Sequence, residues 1–267
     1  MTASRSLISA PLPSRLARAA VTVGGTLLLA VLAGCTTTPV GTGTSALTTV
    51  TPDRLCPETG TARQDAPALT ECISNKVSQY WSAQLGQQVE RLIVVAPDPR
   101  AVPEECRAFL TFGTAFYCPI DAAAYITEEA LDRDALAFDE ELPYAIASIV
   151  AHEFGHVVQY VVGQPGINRS GQTDAQSRVF EQQADCLAGV WVGHAARLGQ
   201  VNPLAFRAAF EQELTIIHAL PVPQGVGLDD YDETATHGTV EERMAAFDTG
   251  VVGGSGRACN LVGLDGD

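Results

Sequence analysis

Hydrophobic positions recur along this chain with two different periods, and the change of period separates its parts. Over residues 66–85, Leu69, Cys72, Ile73, Val77, Tyr80 and Trp81 fall three and four apart, the spacing that lines one face of a helix. Residues 91–96 (RLIVVA) form a short branched run stopped by Pro97 and Pro99, which reads as a strand. Residues 108–116 and 125–127 read the same way on either side of a Cys118-Pro119 turn. Pro143 stands where a helix can begin, and residues 144–162 are apolar with little interruption up to Gly163, which predicts a largely buried helix. A loop over 163–172 leads to a second long helix over 173–198 with Gly199 as its stop. A third helix takes Asn202 as cap and Pro203 in its first turn and runs to Ala219. A fourth is announced by the capping box Thr239…Glu242 and is expected to end near Gly250. There is no internal repeat. The pattern predicts an α+β fold, mainly α, with a small N-terminal β-sheet ahead of the helices.

The first residues follow another logic. Arg5, Arg15 and Arg18 are the only charges ahead of an apolar run over 19–32, the layout of a secretory signal. The run offers about 14 apolar or small residues where a membrane span needs ~20. It ends in Leu32-Ala33-Gly34-Cys35, which resembles the lipobox of bacterial lipoproteins, and that resemblance implies lipidation of Cys35. Residues 36–51 are uncharged and rich in Thr, Gly, Ser and Pro, the composition of a flexible tether. The expected organisation is a signal peptide over 1–34, a lipidated cysteine and tether over 35–52, and one folded domain over 53–267, outside the cytoplasm and anchored to the bacterial cell membrane.

Composition narrows the picture further. With 267 residues, 46% of them hydrophobic, the chain is long enough to bury a core, and a net charge of −15 excludes a general nucleic-acid surface, which would need to neutralise phosphates. Outside the cytoplasm disulfides persist, and setting Cys35 aside leaves Cys56, Cys72, Cys106, Cys118, Cys186 and Cys259. An even set can pair completely. Proximity favours Cys56 with Cys72 and Cys106 with Cys118, which leaves Cys186 for Cys259.

The candidate chemistry lies in the two long helices. His152-Glu153-Phe154-Gly155-His156 places two histidines four apart, one above the other on a helix face, so both rings can reach one metal ion with Glu153 toward the water it holds. A third protein ligand is needed, and Glu181 in the second helix can supply it. Asp185, four residues on, can accept the free ring N–H of a ligating histidine and fix its tautomer. His194 and His218 are read as ordinary helix-face residues.

This HExxH followed by ExxxD is similar to the gluzincin pattern of thermolysin-like peptidases. The strings FYCPID (116–121), HEFGHVVQ (152–159), EQQADCLAGVW (181–191) and HGTVEERMAAF (237–247) resemble, in order, segments of the YpfJ-like family of bacterial neutral zinc metallopeptidases. One departure is Gln182, where that family often has leucine after the ligand glutamate. The resemblance implies a zincin-like peptidase domain holding one Zn2+ per chain through His152, His156 and Glu181, with Glu153 as general base and a peptide or protein as substrate. It implies for His237 a hydrogen bond to the oxyanion of the tetrahedral intermediate, beside the plainer reading of a histidine that orders its loop. For Arg243 it implies a hold on a nearby acid such as Asp185. The competing class is a zinc-binding envelope lipoprotein without turnover, acting as scaffold or regulator. Glu153 argues against it, since a silent site has no use for a base there.

Overall fold

A computed structural model describes residues 55–56, 62–89, 93–96, 102–107, 115–118, 120, 122–138, 140–165, 172–220 and 233–262. The expected leader over 1–34, Cys35 and the tether lie outside the described residues, as do residues 108–114 of the expected second strand.

The fold is mainly helical with one small sheet. In chain order the elements are α1 (Ala62–Leu85), β1 (Ile93–Ala96), β2 (Ala115–Cys118), β3 (Ala123–Thr127), α2 (Glu128–Ala137), α3 (Leu142–Val161), α4 (Asp174–Arg197), α5 (Pro203–Ala219), α6 (Glu233–His237) and α7 (Val240–Gly253), followed by a 3₁₀ turn at Gly256–Cys259. The sheet runs β1-β3-β2: β1 lies parallel to β3 with Ile93 opposite Ala124, and β2 antiparallel to it with Cys118 opposite Ala123.

Caps explain most of the boundaries. Thr173 opens α4 with a reciprocal capping box to Gln176, and Thr239 opens α7 in the same way with Glu242. The Asn202 side chain accepts from the N–H groups of Leu204 and Ala205, satisfying two of the four donors that open α5. Gly199, at φ 72°, ends α4 in the left-handed conformation that a side chain disfavours. Three details differ from expectation. Helix α1 starts four residues early because Pro67 is tolerated inside it at the loss of one hydrogen bond. Helix α2 has no counterpart in the sequence reading, although Thr127 caps it by accepting from the N–H of Ala130 and two acids follow. Helix α7 passes Gly250 and ends at Gly253, with Gly254 left-handed after it.

Helix α3 is the centre of the core. From Leu142 to Gln159 nearly every side chain is buried, against α1 on one side, α4 and α5 on the others and the sheet at its flank. A core of this size, with Trp81, Trp191, Phe154, Phe206 and Phe247 all buried, supplies the apolar area that offsets the burial of polar groups such as Asp185, Glu153 and Gln159. Close helix approach is built from glycine. A Cβ on Gly155 would stand 2.7 Å from Ala184 Cα, and one on Gly189 or Gly250 would meet the carbonyl of Phe247 or Cys186 across the α4–α7 contact. Gly250 therefore serves packing rather than termination. No described helix is long and apolar enough to cross a membrane.

Cysteines pair as Cys56–Cys72, Cys106–Cys118 and Cys186–Cys259, with Cα separations of 6.2, 5.8 and 5.6 Å. The last joins α4 to the 3₁₀ turn across 73 residues of chain.

Candidate metal centre

The Gly155–Ala184 crossing lays the middle of α3 on the first half of α4 and so brings the two sequence motifs face to face. His152 Nε2 and His156 Nε2 lie 3.2 and 3.3 Å from the same atom, Glu181 Oε2. The rings are 4.9 Å apart and perpendicular. One donor atom from each of the three residues falls within 4.8 Å of the others.

This arrangement fits a metal better than a hydrogen-bonded cluster. Glu181 Oε2 is buried yet makes no hydrogen bond of acceptable geometry, although two ring nitrogens face it. Two imidazole nitrogens and a carboxylate oxygen aimed at one point are a donor set for zinc that leaves a fourth position open. The surrounding field favours a cation. Burial works to lower the pKa of His152, but the carboxylates of Asp185 and Glu181 overcome it and push the ring up to about 10. Burial likewise opposes the charge on Glu181, and the facing histidines, His237 first, hold its carboxyl well below the usual range.

Glu153 is 5% exposed, and its Oε2 is buried without a hydrogen-bond partner. Burial raises its pKa, only partly offset by the two histidines. A buried carboxylate with a raised pKa and a free oxygen is suited to take up a proton.

Each histidine is held from behind. His152 Nδ1 lies 2.8 Å from Asp185 Oδ1. Asp185 is fully buried and receives a two-pronged grip from Arg243, Nε to Oδ2 at 2.8 Å and an Nη to Oδ1 at 2.9 Å. Burial disfavours the Asp185 charge, and Arg243 with His152 nevertheless keeps its pKa low. His156 Nδ1 faces Gln159 Oε1 at 3.0 Å.

His237 closes the rim. It is the last residue of α6, its Nε2 is 3.6 Å from Glu181 Oε2, and its Nδ1 lies 2.8 Å from Thr236 Oγ1. Arg178 donates twice to the Ala235 carbonyl, tying α6 to the start of α4. A side chain at Gly238 would collide with Gln182 Nε2 at 2.7 Å, so the unexpected glutamine occupies the space that this glycine leaves.

All seven residues singled out around the motifs thus meet in one place: His152, Glu153, His156, Glu181, Asp185, His237 and Arg243. Sequence reasoning missed Gln159 and Arg178. The three-residue step from His156 to Gln159 was a usable signal, whereas Arg178 bonds a backbone carbonyl 57 residues away and leaves none.

No solved structure matches the chain significantly. It is similar to the uncharacterized protein YpfJ of Escherichia coli K12, 29% identical over 223 residues that cover 74% of this chain and 72% of that one. It is also similar to the uncharacterized protein Rv2575 of Mycobacterium tuberculosis H37Rv, 33% identical over 157 residues and 54% of either chain. A family model described as "Putative neutral zinc metallopeptidase" matches residues 16–262, and with a match of that extent over this donor set the chain belongs to that family.

Proposed function

We propose that this chain is an extracytoplasmic, lipid-anchored zinc peptidase in which His152, His156 and Glu181 hold one zinc ion and Glu153 is the general base. The observation that carries the reading is the convergence of donor atoms from three largely enclosed side chains on one point, with a buried, unpartnered Glu153 oxygen on the same helix turn. Zinc in such a site acidifies water and polarises the scissile carbonyl. Glu153 accepts the proton of the attacking water, and its raised pKa lets it keep that proton until it passes to the leaving amine. His237, at the rim, donates a hydrogen bond to the oxyanion that develops on the carbonyl. Asp185, gripped by Arg243, holds His152 with its Nε2 lone pair forward. The anchor rests on the basic leader, its apolar run and the Leu-Ala-Gly-Cys ending at Cys35.

The test is zinc stoichiometry together with cleavage of a denatured protein, for the wild type and Glu153→Gln, both purified under oxidising conditions. One zinc per chain in both, with cleavage lost only in the variant, is the expected result. Equal cleavage by Glu153→Gln overturns the assigned base. One zinc without cleavage in either favours the scaffold or regulator. Metabolic labelling with a clickable fatty acid, lost in Cys35→Ser, tests the anchor separately.

A further inference from the structure

Behind His156 lies a short relay of amides whose polarity is forced from both ends. Gln159 is fully buried, three residues beyond His156 on α3. Its Nε2 donates to the Phe180 carbonyl at 2.8 Å and to Gln183 Oε1 at 2.9 Å, and its Oε1 faces His156 Nδ1 at 3.0 Å. Gln183, also buried, donates from Nε2 to the Cys259 carbonyl at 2.8 Å.

A backbone carbonyl only accepts, so each glutamine has one allowed orientation here. The Phe180 carbonyl takes the amide NH₂ of Gln159 and leaves its oxygen toward His156. An oxygen only accepts too, so Nδ1 of His156 carries the hydrogen, and in the neutral ring the lone pair is then on Nε2, the atom facing Glu181. The Cys259 carbonyl orients Gln183 by the same reasoning. Phe180 precedes Glu181 in the chain, so Gln159 also braces the backbone that carries the third donor.

The far end of the relay is covalent. Cys259 closes the 3₁₀ turn and is bonded to Cys186, three residues beyond Gln183 on α4, so the disulfide keeps the Cys259 carbonyl over the Gln183 amide. The two histidines are therefore held by different chemistry: a carboxylate clamped by arginine behind His152, and a neutral amide chain ending on a disulfide behind His156.

We propose that Gln159 and Gln183 are positioning residues that hold His156 as its Nδ1–H tautomer, and that the zinc affinity of this chain depends through them on the Cys186–Cys259 disulfide. The affinity part rests on the metal-centre reading above; the tautomer part does not. Formation of the bond would then link metal loading to an oxidising compartment, where such a disulfide persists.

The full chain with zinc alone tests this in two measurements. Nitrogen-15 NMR of the imidazoles in the zinc-free protein is followed up the pH scale until His156, which the Glu181 carboxylate holds charged against burial, has lost its extra proton. It is expected to give the neutral ring as the Nδ1–H form in the wild type and a shift toward the Nε2–H form in Gln159→Met, a change that a merely structural role would not produce. Competition with a chelator is expected to show zinc held about 10–100-fold more weakly by Gln159→Met and by the pair Cys186→Ser/Cys259→Ser, with no change in Cys56→Ser/Cys72→Ser. Gln183→Met keeps the disulfide but cuts the relay between it and His156, and is expected to weaken zinc by the same factor, whereas wild-type affinity in a folded Cys186→Ser/Cys259→Ser pair overturns the link to the disulfide. Wild-type affinity in Gln159→Met and Gln183→Met, or an unmoved tautomer, overturns the relay. A wild type that takes up no zinc overturns the metal centre instead, and the tautomer measurement still decides the role of Gln159.

Discussion

Asp185 and Arg243 are both almost completely enclosed, and a charge in that position is tolerated only while its partner is present. Removing Arg243 alone leaves the Asp185 carboxylate with His152 as its one remaining partner among the described contacts, so Arg243→Met is expected to cost up to about 3 kcal/mol of folding stability. The double variant Asp185→Leu/Arg243→Met removes both charges and is expected to recover most of that loss, since well-packed apolar replacements of a buried pair are often neutral. Zinc affinity should not recover with it. His152 in the double variant has nothing to fix its Nδ1–H, and chelator competition should show binding weakened roughly 10–100-fold. Thermal melts of the metal-free proteins measure the first effect and zinc competition the second. Recovery of both together would mean that Asp185 serves only to neutralise Arg243.

The donor set straddles one helix crossing, which makes Gly155 the element-scale control of the site. Alanine there would press its Cβ against the Ala184 backbone, which cannot swing aside as a long side chain can. Helices α3 and α4 must then separate, and Gly155→Ala is expected to lower stability by about 1–3 kcal/mol and to weaken zinc binding in the same protein. Calorimetric melts with and without zinc test this, and unchanged affinity would show that the crossing does not set the donor spacing. The same helices show what a sequence makes readable. Helices α3, α4, α5 and α7 were legible because long apolar runs coincide with start and stop signals: Pro143 and Gly163, the stop at Gly199, and the caps at Asn202 and Thr239. Helix α2 was not, since ten residues give less than three turns of pattern and its buried side comprises Ala130, Leu131 and an acid, Asp134. Of the strand expected over 108–116, the described residues show its C-terminal end, which continues to Cys118, where pairing with β3 sets the register. In the site, the i,i+4 pairs His152/His156 and Glu181/Asp185 were legible from spacing alone. The end of α7 was misjudged at Gly250 because a glycine serving close packing and one serving termination look alike in sequence.

At the scale of the whole molecule an excess of acid, with net charge −15, reaches into the core. Asp134 on α2 and Glu213 on α5 are both buried, and a single Arg133 Nη bridges them at 2.6 and 2.8 Å. Asp134 Oδ2 and Glu213 Oε2 are left without a hydrogen-bond partner under ordinary geometry. The Arg133 charge, with that of Arg243 acting on Glu213 as well, does not offset the burial of two facing carboxylates. Burial, with the Asp134 charge beside it, pushes Glu213 up to about 8, and burial raises Asp134 as well against the pull of Arg133. The sign follows from proton counting. Between the ordinary glutamate value of 4.5 and about 8, the folded chain holds a proton that the unfolded chain has released, so stability falls as pH rises. The contribution is full below the unfolded value and is lost as pH passes through about 8. Its slope cannot exceed about 1.4 kcal/mol per pH unit for one proton. Glu213→Gln supplies a permanent N–H toward Asp134 and still offers an oxygen to Arg133, so it should keep the contacts and remove the titration. Urea denaturation at pH 5.5 and pH 8.5 is the measurement: the wild type should lose more stability across that interval than Glu213→Gln, and the two should differ most at the alkaline end. Parallel profiles for both proteins would mean that Arg133 compensates both carboxylates and that no proton is stored between α2 and α5.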